Sequence, residues 1–337
     1  MTASLTGQIV LARDSAALAA GGSRFMALRD EGLLEYGSAN TRAAYRLDTD
    51  HWLQFLAASG VHPLDGVERK HAFGWLRTLE LQREAKATRA RRLAAVKSFY
   101  EWLTSMGYYT RANPVAVERN RKPRVSRSES TFSLSREQTV QLLAAADRDH
   151  ERQAARTAAI VWLLVITGIR VSELIAADVE GLGTHDGHRV LRLVLKGDVD
   201  AMVVIPDPVW VRLERYLRQR SDVQLSRLPV RAGQVGRGGT RGRRPLFVTA
   251  SGGRLDRGAV ARLLCRFAPG IGVEAWLGPH VLRHTCSTLA RAAGVALEDI
   301  QDQLGHADGR TVRRYDHGGV RLDRAPAYAL ITYLGVA

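Results

Sequence analysis

The stretch AAIVWLLVITGIRVSEL, residues 158–174, joins a continuous apolar run to a charged segment. The apolar run is shorter than the roughly 20 residues that a membrane-spanning helix needs, so it predicts a helix buried in a globular core. Arg170 follows it directly, and its guanidinium is therefore expected at the edge of that core, directed into a cleft or paired locally. Glu173 lies within reach on a helix, and taken alone the two residues are most simply an ordinary ion pair.

The whole chain is strongly basic, which points to a polyanionic partner. Its 337 residues include 49 Lys and Arg against 34 Asp and Glu, which gives a formal net charge of +15 and a pI near 10.5. Nucleic acid is the first candidate and an acidic membrane surface the second, while charge that only maintains solubility is the simple alternative. The length favours two domains of roughly 100–200 residues each.

The cysteine content indicates the compartment. Only Cys265 and Cys286 occur, which suggests a reducing environment and no disulfide framework. The opening stretch MTASLTGQIVLARDS has an apolar segment that Arg13 and Asp14 cut short, so it does not resemble a signal peptide. We therefore expect a cytoplasmic protein, associated with the nucleoid, that has no membrane partner.

The hydrophobic spacing within residues 1–118 predicts a helical domain. In segment 38–60 the apolar residues keep helical spacing at Ala44, Leu47, Trp52, Phe55 and Leu56. Segment 86–107 has the clearest apolar stripe, which predicts a core-facing helix with Leu93, Val96, Phe99, Tyr100 and Leu103 inside. Four basic residues lie largely off that stripe and form either a solvated face or a contact with a DNA backbone: Arg89, Arg91, Arg92 and Lys97.

A basic linker is expected at 119–130, where prolines and serines interrupt the helical pattern. Its Arg121, Lys122 and Arg124 are candidate DNA contacts. A second domain, 131–337, follows and opens with a helix that Ser135 and Gln138 cap reciprocally. The segment from about 318 is expected to form a tail.

The second domain mixes helices with a small β-sheet. Two β-rich arms, 189–195 and 201–205, enclose KGDVD and predict a hairpin. Residues 223–255 contain no acid, and an Arg/Gly-rich loop, 227–244, lies within them. The final helical pattern places Ala325, Tyr328, Ile331 and Leu334 on one apolar face.

Several polar residues of this domain suggest chemistry only when they are combined. His280, Arg283 and His284 in HVLRH share one helical face. A zinc site that uses these histidines with His306 is disfavoured, because no carboxylate or cysteine stands at ligand spacing. Lys196 lies in the predicted hairpin and Tyr315 lies nine residues after His306.

The combined set suits transfer at a phosphodiester. Paired guanidiniums match two non-bridging oxygens, a lysine can protonate a leaving alkoxide, and a phenol with a pKa near ~10 can serve as nucleophile in a cationic field. No phosphate-binding loop or dinucleotide fingerprint occurs, and no cofactor or metal is expected.

The ordered motifs TGIRVSEL, KGD, HVLRHT and LGH, with a tyrosine nine residues beyond the last, resemble the tyrosine recombinases of the phage-integrase family. The resemblance implies a mainly α fold with a small β-sheet, in which a helical, SAM-like core-binding domain precedes an α+β catalytic domain. It implies that Arg170 and Arg283 bind the scissile phosphate and that Lys196 protonates the 5′-hydroxyl leaving group. The remaining roles that it implies are proton transfer by His280, a phosphate contact by His306, nucleophilic attack by Tyr315 and support of the site by Glu173.

The resemblance also implies the partners and the reaction course. A 3′-phosphotyrosyl intermediate and a Holliday junction would form on double-stranded DNA with specific recombination sites. A homotetramer would assemble on paired sites from a free monomer or weak oligomer, and accessory proteins stay open. The tail would either dock on a neighbouring protomer or pack on its own domain. Three departures from the family pattern are Asp316 beside the tyrosine, a longer stretch after Lys196 and the inserted loop 227–244.

Three other functions are compatible with parts of this pattern. A type IB topoisomerase shares the chemistry but relaxes supercoils without exchanging partners. A non-catalytic DNA-binding regulator on the same fold would lack one or more of the catalytic groups, and all six are present in the sequence. A metal hydrolase built on the three histidines would lose its activity to a strong chelator.

Overall fold

The computed structural model describes residues 3–116, 132–195, 199–224, 243–305 and 322–336, with side chains from Ala16 onward except at Leu195 and Val199. The chain divides into two compact units, 1–129 and 130–337. Helices predominate in the described residues, and three strands form one small sheet, so the predicted fold class is confirmed. No described helix combines the length and the apolar character that would let it cross a membrane.

The described part of the first unit is helical. Its helices are α1 Ala3–Leu33, α2 Ala39–Ala58, α3 Arg69–Leu81 and α4 Lys86–Ser105. Trp52, Trp75 and Tyr100 are fully buried at its centre, and the Tyr100 hydroxyl donates a 2.7 Å hydrogen bond to the Pro63 carbonyl. The predicted stripe of α4 is buried as expected.

One position of the predicted α2 stripe is wrong. Leu47 is 70% exposed, whereas its polar neighbours Asp48 and Thr49 are buried. The Asp48 carboxylate accepts a hydrogen bond from Arg91 of α4, and the Thr49 hydroxyl donates to the Tyr45 carbonyl at 2.7 Å. Because both polar groups are paired, α2 can bury them and turn Leu47 toward solvent.

The second unit is built around one apolar helix. Its elements are α5 Arg136–Asp147, α6 Ala154–Thr167, α7 Val171–Ala176, β1 Leu182–His185, β2 His188–Leu195, β3 Val199–Val204, α8 Asp207–Arg218, α9 Arg257–Cys265, α10 Pro279–Ala292, α11 Leu297–Leu304 and α12 Pro326–Leu334. Residues 157–167 of α6 are all buried, as the apolar run predicts. The reciprocal cap of α5 by Ser135 and Gln138 is also present.

The sheet is antiparallel in the order β1–β2–β3. Strands β2 and β3 form the predicted hairpin, in which Leu195 pairs with Val199. Strand β1 was not predicted, and it joins β2 through Asp186 and Gly187, whose φ angles are 48° and 82°. Two successive positive φ angles are typical of a type I′ turn, the tight turn that suits the twist of a hairpin.

Helix α12 packs on its own unit. Ala327, Leu330 and Leu334 belong to the core that surrounds α6. Tyr328 packs on β2, where its hydroxyl lies 2.7 Å from His188 Nδ1. Helix α12 therefore packs within its own unit, while docking of the tail on a neighbouring protomer stays a prediction. The expected linker 119–130 and most of the loop 227–244 lie outside the described residues.

Candidate active site

A left-handed turn places Arg170 at the end of the buried helix. Helix α6 ends at Gly168, whose φ of 64° is readily adopted by glycine alone. A Cβ at this position would lie 2.6 Å from Leu304 Cδ2 and 2.9 Å from Cys286 Sγ. The turn therefore requires glycine both for its backbone and for the close approach of α10 and α11.

Glu173 fixes Arg170 at the start of α7. Its Oε2 accepts a 2.7 Å hydrogen bond from the Arg170 backbone N–H, and its Oε1 accepts a 2.8 Å bond from Nη1 of the same residue. The carboxylate is buried, so the ion pair expected from the sequence does form, and it positions the arginine as well. A second guanidinium nitrogen, Nη2, donates to the Gly305 carbonyl at 3.1 Å.

Arg283 enters the same turn from α10. It is only 8% exposed, and its Nη1 donates to the Gly168 carbonyl at 2.7 Å, while Nη2 donates to the Leu304 carbonyl. Burial, together with the positive charge of Arg170, lowers the pKa of Arg283 to about 10. Arg283 therefore stays protonated at neutral pH.

The end of α11 supplies acceptors to both arginines. The last four carbonyls of a helix have no intrahelical partner, and the negative end of the helix dipole attracts cations. Leu304 and Gly305 use such carbonyls to bind Arg283 and Arg170, respectively. Each terminal guanidinium nitrogen carries two N–H groups, so a bonded nitrogen retains a donor for an anion.

The two histidines of HVLRH occupy different environments. His280 is exposed in the first turn of α10, directly after Pro279, whereas His284 is half-buried and its Nδ1 lies 3.2 Å from Thr288 Oγ1. Among the residues with described coordinates, no group of three or more His, Cys, Asp or Glu could hold a metal ion. His306, which the zinc alternative needs, lies outside them.

Three predicted catalytic residues, Lys196, His306 and Tyr315, lie outside the described residues. The structure thus brings together Arg170, Glu173 and Arg283, and it places His280 one turn before Arg283. The assignment of all six catalytic groups remains a prediction.

The basic residues of α4 pair with acids. Arg89 lies 3.4 Å from Glu80, Arg92 lies 2.8 Å from Glu84, and Lys97 lies 2.5 Å from Glu101. Arg91 pairs with buried Asp48 while its own side chain is 46% exposed. These contacts give α4 a paired face, and their role as DNA contacts stays a prediction. Arg121, Lys122 and Arg124 lie outside the described residues.

Sequence reasoning missed the backbone acceptors of the site and the side chain of Gln303. Gln303 Nε2 donates to the Thr167 carbonyl at 3.0 Å, and its Oε1 accepts from the Ala327 N–H at 3.2 Å. The sequence did contain two signals of helix ends with free carbonyls. These are Gly168, directly after an apolar helix, and Gly305, directly after α11.

The chain is similar to known recombinases along most of its length. A family model described as the phage integrase family matches residues 133–320, and one described as the phage integrase N-terminal SAM-like domain matches residues 31–107. The tyrosine recombinase XerC of Roseiflexus castenholzii is 32% identical over 280 residues, which cover 83% of each chain. That of Herpetosiphon aurantiacus is 32% identical over 86% of this chain and 88% of its own.

Solved structures share the fold. The XerH site-specific recombinase in a post-cleavage complex with a palindromic difH substrate superposes with a TM-score of 0.62 at 16% identity, covering 80% of this chain and 74% of that one. A lambda integrase dimer bound to a core site gives a TM-score of 0.61 at 15% identity, covering 90% and 99%. Together with the sequence matches, these findings show that the chain belongs to the phage integrase family of tyrosine recombinases.

Proposed function

We propose that this protein is a site-specific DNA recombinase that cleaves and rejoins strands through a 3′-phosphotyrosyl intermediate and a Holliday junction. The observation that carries the proposal is the pair of arginines held at one turn by backbone carbonyls, because two guanidiniums fixed in this way suit the binding of one phosphate. The family membership and the XerC relatives support the same activity. The protein would act in the cytoplasm on nucleoid DNA.

The chemistry follows from the residues proposed for each role. The Tyr315 oxygen attacks the phosphorus of a DNA phosphodiester, and the bond from phosphorus to the 5′-oxygen breaks. His280 assists removal of the phenol proton, and Lys196 gives a proton to the departing 5′-oxygen. The 3′-phosphate is then bonded to tyrosine, so the bond energy is conserved, and a 5′-hydroxyl of a partner strand can reverse the step.

The arginines stabilise the negative charge that develops on the phosphate oxygens. In the transition state the two non-bridging oxygens carry increased negative charge, which guanidinium forks match in geometry. Arg283 is fixed by two carbonyls and Arg170 by Glu173 and Gly305, so little reorganisation is needed when the phosphate arrives. His306 would add a hydrogen bond to the same phosphate.

The assembly belongs to the same proposal. The net charge of +15 suits an extended contact with duplex DNA, for which the α4 arginines and the basic segment 119–130 are our candidates. We propose that four protomers act on two paired recombination sites and that the free chain is a monomer or a weak oligomer. A plasmid with two sites separates recombination from topoisomerase activity, because relaxation without exchanged products would favour the latter.

The decisive experiment traps the covalent intermediate on a nicked suicide substrate. Wild-type protein should form a denaturation-resistant adduct with DNA, and Tyr315→Phe should bind the DNA without forming one. Tyr333→Phe is the matched control, because it removes another phenol from the same unit and should leave adduct formation intact. An adduct that persists in Tyr315→Phe would rule out the proposed nucleophile.

A further inference from the structure

The Gln303 side chain connects two elements that surround the arginine turn. It lies on α11, one residue before the Leu304 carbonyl that binds Arg283. Its Nε2 group donates to the Thr167 carbonyl at 3.0 Å, and its Oε1 accepts from the Ala327 N–H at 3.2 Å. One amide thereby joins the end of α6 to the start of α12.

The chemistry of the partners fixes the orientation of this amide. A backbone carbonyl can only accept a hydrogen bond and a backbone N–H can only donate one. The nitrogen of Gln303 must therefore face Thr167, and the oxygen must face Ala327. A side chain that only donates or only accepts cannot bind both partners.

Both partners belong to helix ends. Thr167 is the last residue of α6, and Ala327 is the second residue of α12, so neither group has a partner inside its own helix. Ala327 is fully buried, which keeps water from replacing the side chain that binds its N–H. Gln303 thus satisfies polar groups that are costly to leave unpaired.

The bond to Thr167 reaches Arg283 through one peptide unit. The carbonyl of the next residue, Gly168, accepts the Arg283 guanidinium at 2.7 Å. Gln303 thus restrains the turn on one side, while the Leu304 carbonyl restrains Arg283 on the other. A shift of α12 would pull on Gln303 and move both acceptors of the guanidinium.

We infer that Gln303 is a positioning residue, which ties the packing of α12 to the placement of the phosphate-binding Arg283. The inference rests on the proposed function, since Arg283 matters for catalysis only if it binds the scissile phosphate. It adds to that function a residue that acts through the geometry of Arg283.

The first test uses Gln303→Glu, which keeps the shape and the acceptor but loses the donor when it is ionised. A protonated carboxyl has both a donor and an acceptor and can replace the amide. Partial burial and the facing Thr167 carbonyl should raise the pKa of the new carboxyl above its ordinary value. At pH 8 we expect adduct formation to be slower by roughly tenfold, which corresponds to one unpaired buried acceptor.

The pH profile distinguishes positioning from general damage. As the pH falls toward 5 the carboxyl takes up its proton, so the ratio of variant to wild-type rates should rise toward one. The matched control is Gln301→Glu, which places the same charge on α11, where no described hydrogen bond joins the Gln301 side chain to Thr167 or Ala327. Because residues two positions apart do not share a helix face, this control measures the general effect of a new charge on α11. The ionisable groups near position 303 are Cys286, whose Sγ lies 4.0 Å from Gln303 Nε2, and Arg283 with its electrostatic partners Arg170 and Glu173, all of which are unchanged in both variants.

The second test needs no catalytic activity. Hydrogen exchange at the Ala327 amide reports the acceptor end of the side chain, because this N–H lacks a helical partner. Gln303→Glu should keep the protection of Ala327, whereas Gln303→Met should lose it by about tenfold. The same Met variant should form the adduct more slowly at every pH.

The outcomes separate the inference from the proposed function. If wild-type protein forms no adduct with any substrate while Ala327 exchange responds as expected, the proposed function fails but the bridging contact stands. If wild-type protein reacts and Gln303→Glu matches Gln301→Glu at every pH, Gln303 does not position Arg283. Unchanged protection of the Ala327 amide in Gln303→Met would show that Gln303 does not bridge α6 and α12.

Discussion

Replacing Gly168 with alanine tests the turn on which the arginine pair depends. The alanine must adopt the left-handed backbone conformation of Gly168, which costs about 1–2 kcal/mol. It must also displace Leu304 Cδ2 and Cys286 Sγ, which lie 2.6 and 2.9 Å from its position, and overpacking of this kind costs about 1–3 kcal/mol. The free energy of unfolding should therefore fall by about 2–5 kcal/mol.

Gly294→Ala is the matched control. Gly294 also has a positive φ, 80°, but a Cβ there would meet nothing within 4 Å. This variant should show only the backbone cost of about 1–2 kcal/mol. Denaturant unfolding of both variants isolates the packing contribution as the difference between them.

The same pair of variants connects stability to chemistry. At a temperature where both variants are folded, Gly168→Ala should form the covalent adduct more slowly, because the displaced carbonyl no longer holds Arg283 in place. Gly294→Ala should react like the wild type. If Gly168→Ala loses no more stability than Gly294→Ala, the close packing at the turn is refuted.

Three further perturbations address other parts of the molecule. Arg283→Lys keeps the positive charge but cannot bind the Gly168 and Leu304 carbonyls at the same time, so adduct formation should slow by about 10²–10³-fold. A rate near that of the wild type would contradict the role assigned to the guanidinium geometry. Burial raises the pKa of Asp48 despite Arg91 and Arg92 beside it, so the folded chain holds this proton more tightly than the unfolded chain does. The contribution of Asp48 to the free energy of unfolding should therefore decline as the pH rises above about 4. Denaturant unfolding at several pH values should show this decline in the wild type and not in Asp48→Asn. Replacing residues 227–242 with a short Gly–Ser linker keeps the hydrogen bond from Arg244 to the Asp222 carbonyl. The slope of log binding constant against log salt concentration should become shallower by about 0.9 for each phosphate contact that is lost. An unchanged slope would show that the segment does not touch DNA.

The strongest local patterns predicted the elements well. The apolar run predicted α6 because no charged side chain interrupts residues 158–169, and Ser135 with Gln138 marked the start of α5. Strand β1 was missed although Asp186–Gly187 is a strong hairpin signal, because its four residues alone are too short to show alternation. The prediction for Leu47 was wrong because hydrophobic spacing carries no information on ion pairs, and the pair with Arg91 allows Asp48 to be buried in its place.

The candidate site was predictable in its side chains but not in their supports. Arg170 and Arg283 were identified from the motifs that contain them, and the local pair with Glu173 followed from the spacing. The two backbone acceptors of Arg283 lie 115 and 21 positions away from it in the chain, and the backbone acceptor of Arg170 lies 135 positions away, so these contacts depend on tertiary packing. The amide of Gln303 escaped notice for the same reason, since a glutamine near a helix end has no distinctive pattern.

The use of main-chain oxygens to hold the arginines has a consequence for how this protein tolerates mutation. Replacing the side chain at 304 or 305 does not delete the oxygen that the guanidinium contacts, so substitutions there act on the arginines through the position of the backbone. Selection at 305 should therefore favour a residue that ends the helix with a positive φ, as Gly305 does, whereas selection at 304 should favour an apolar side chain that fits the core beside Gly168. Because these acceptors are neutral oxygens, Arg283 makes no direct ion pair within the described part of the chain, and its guanidinium keeps an attraction for an anion.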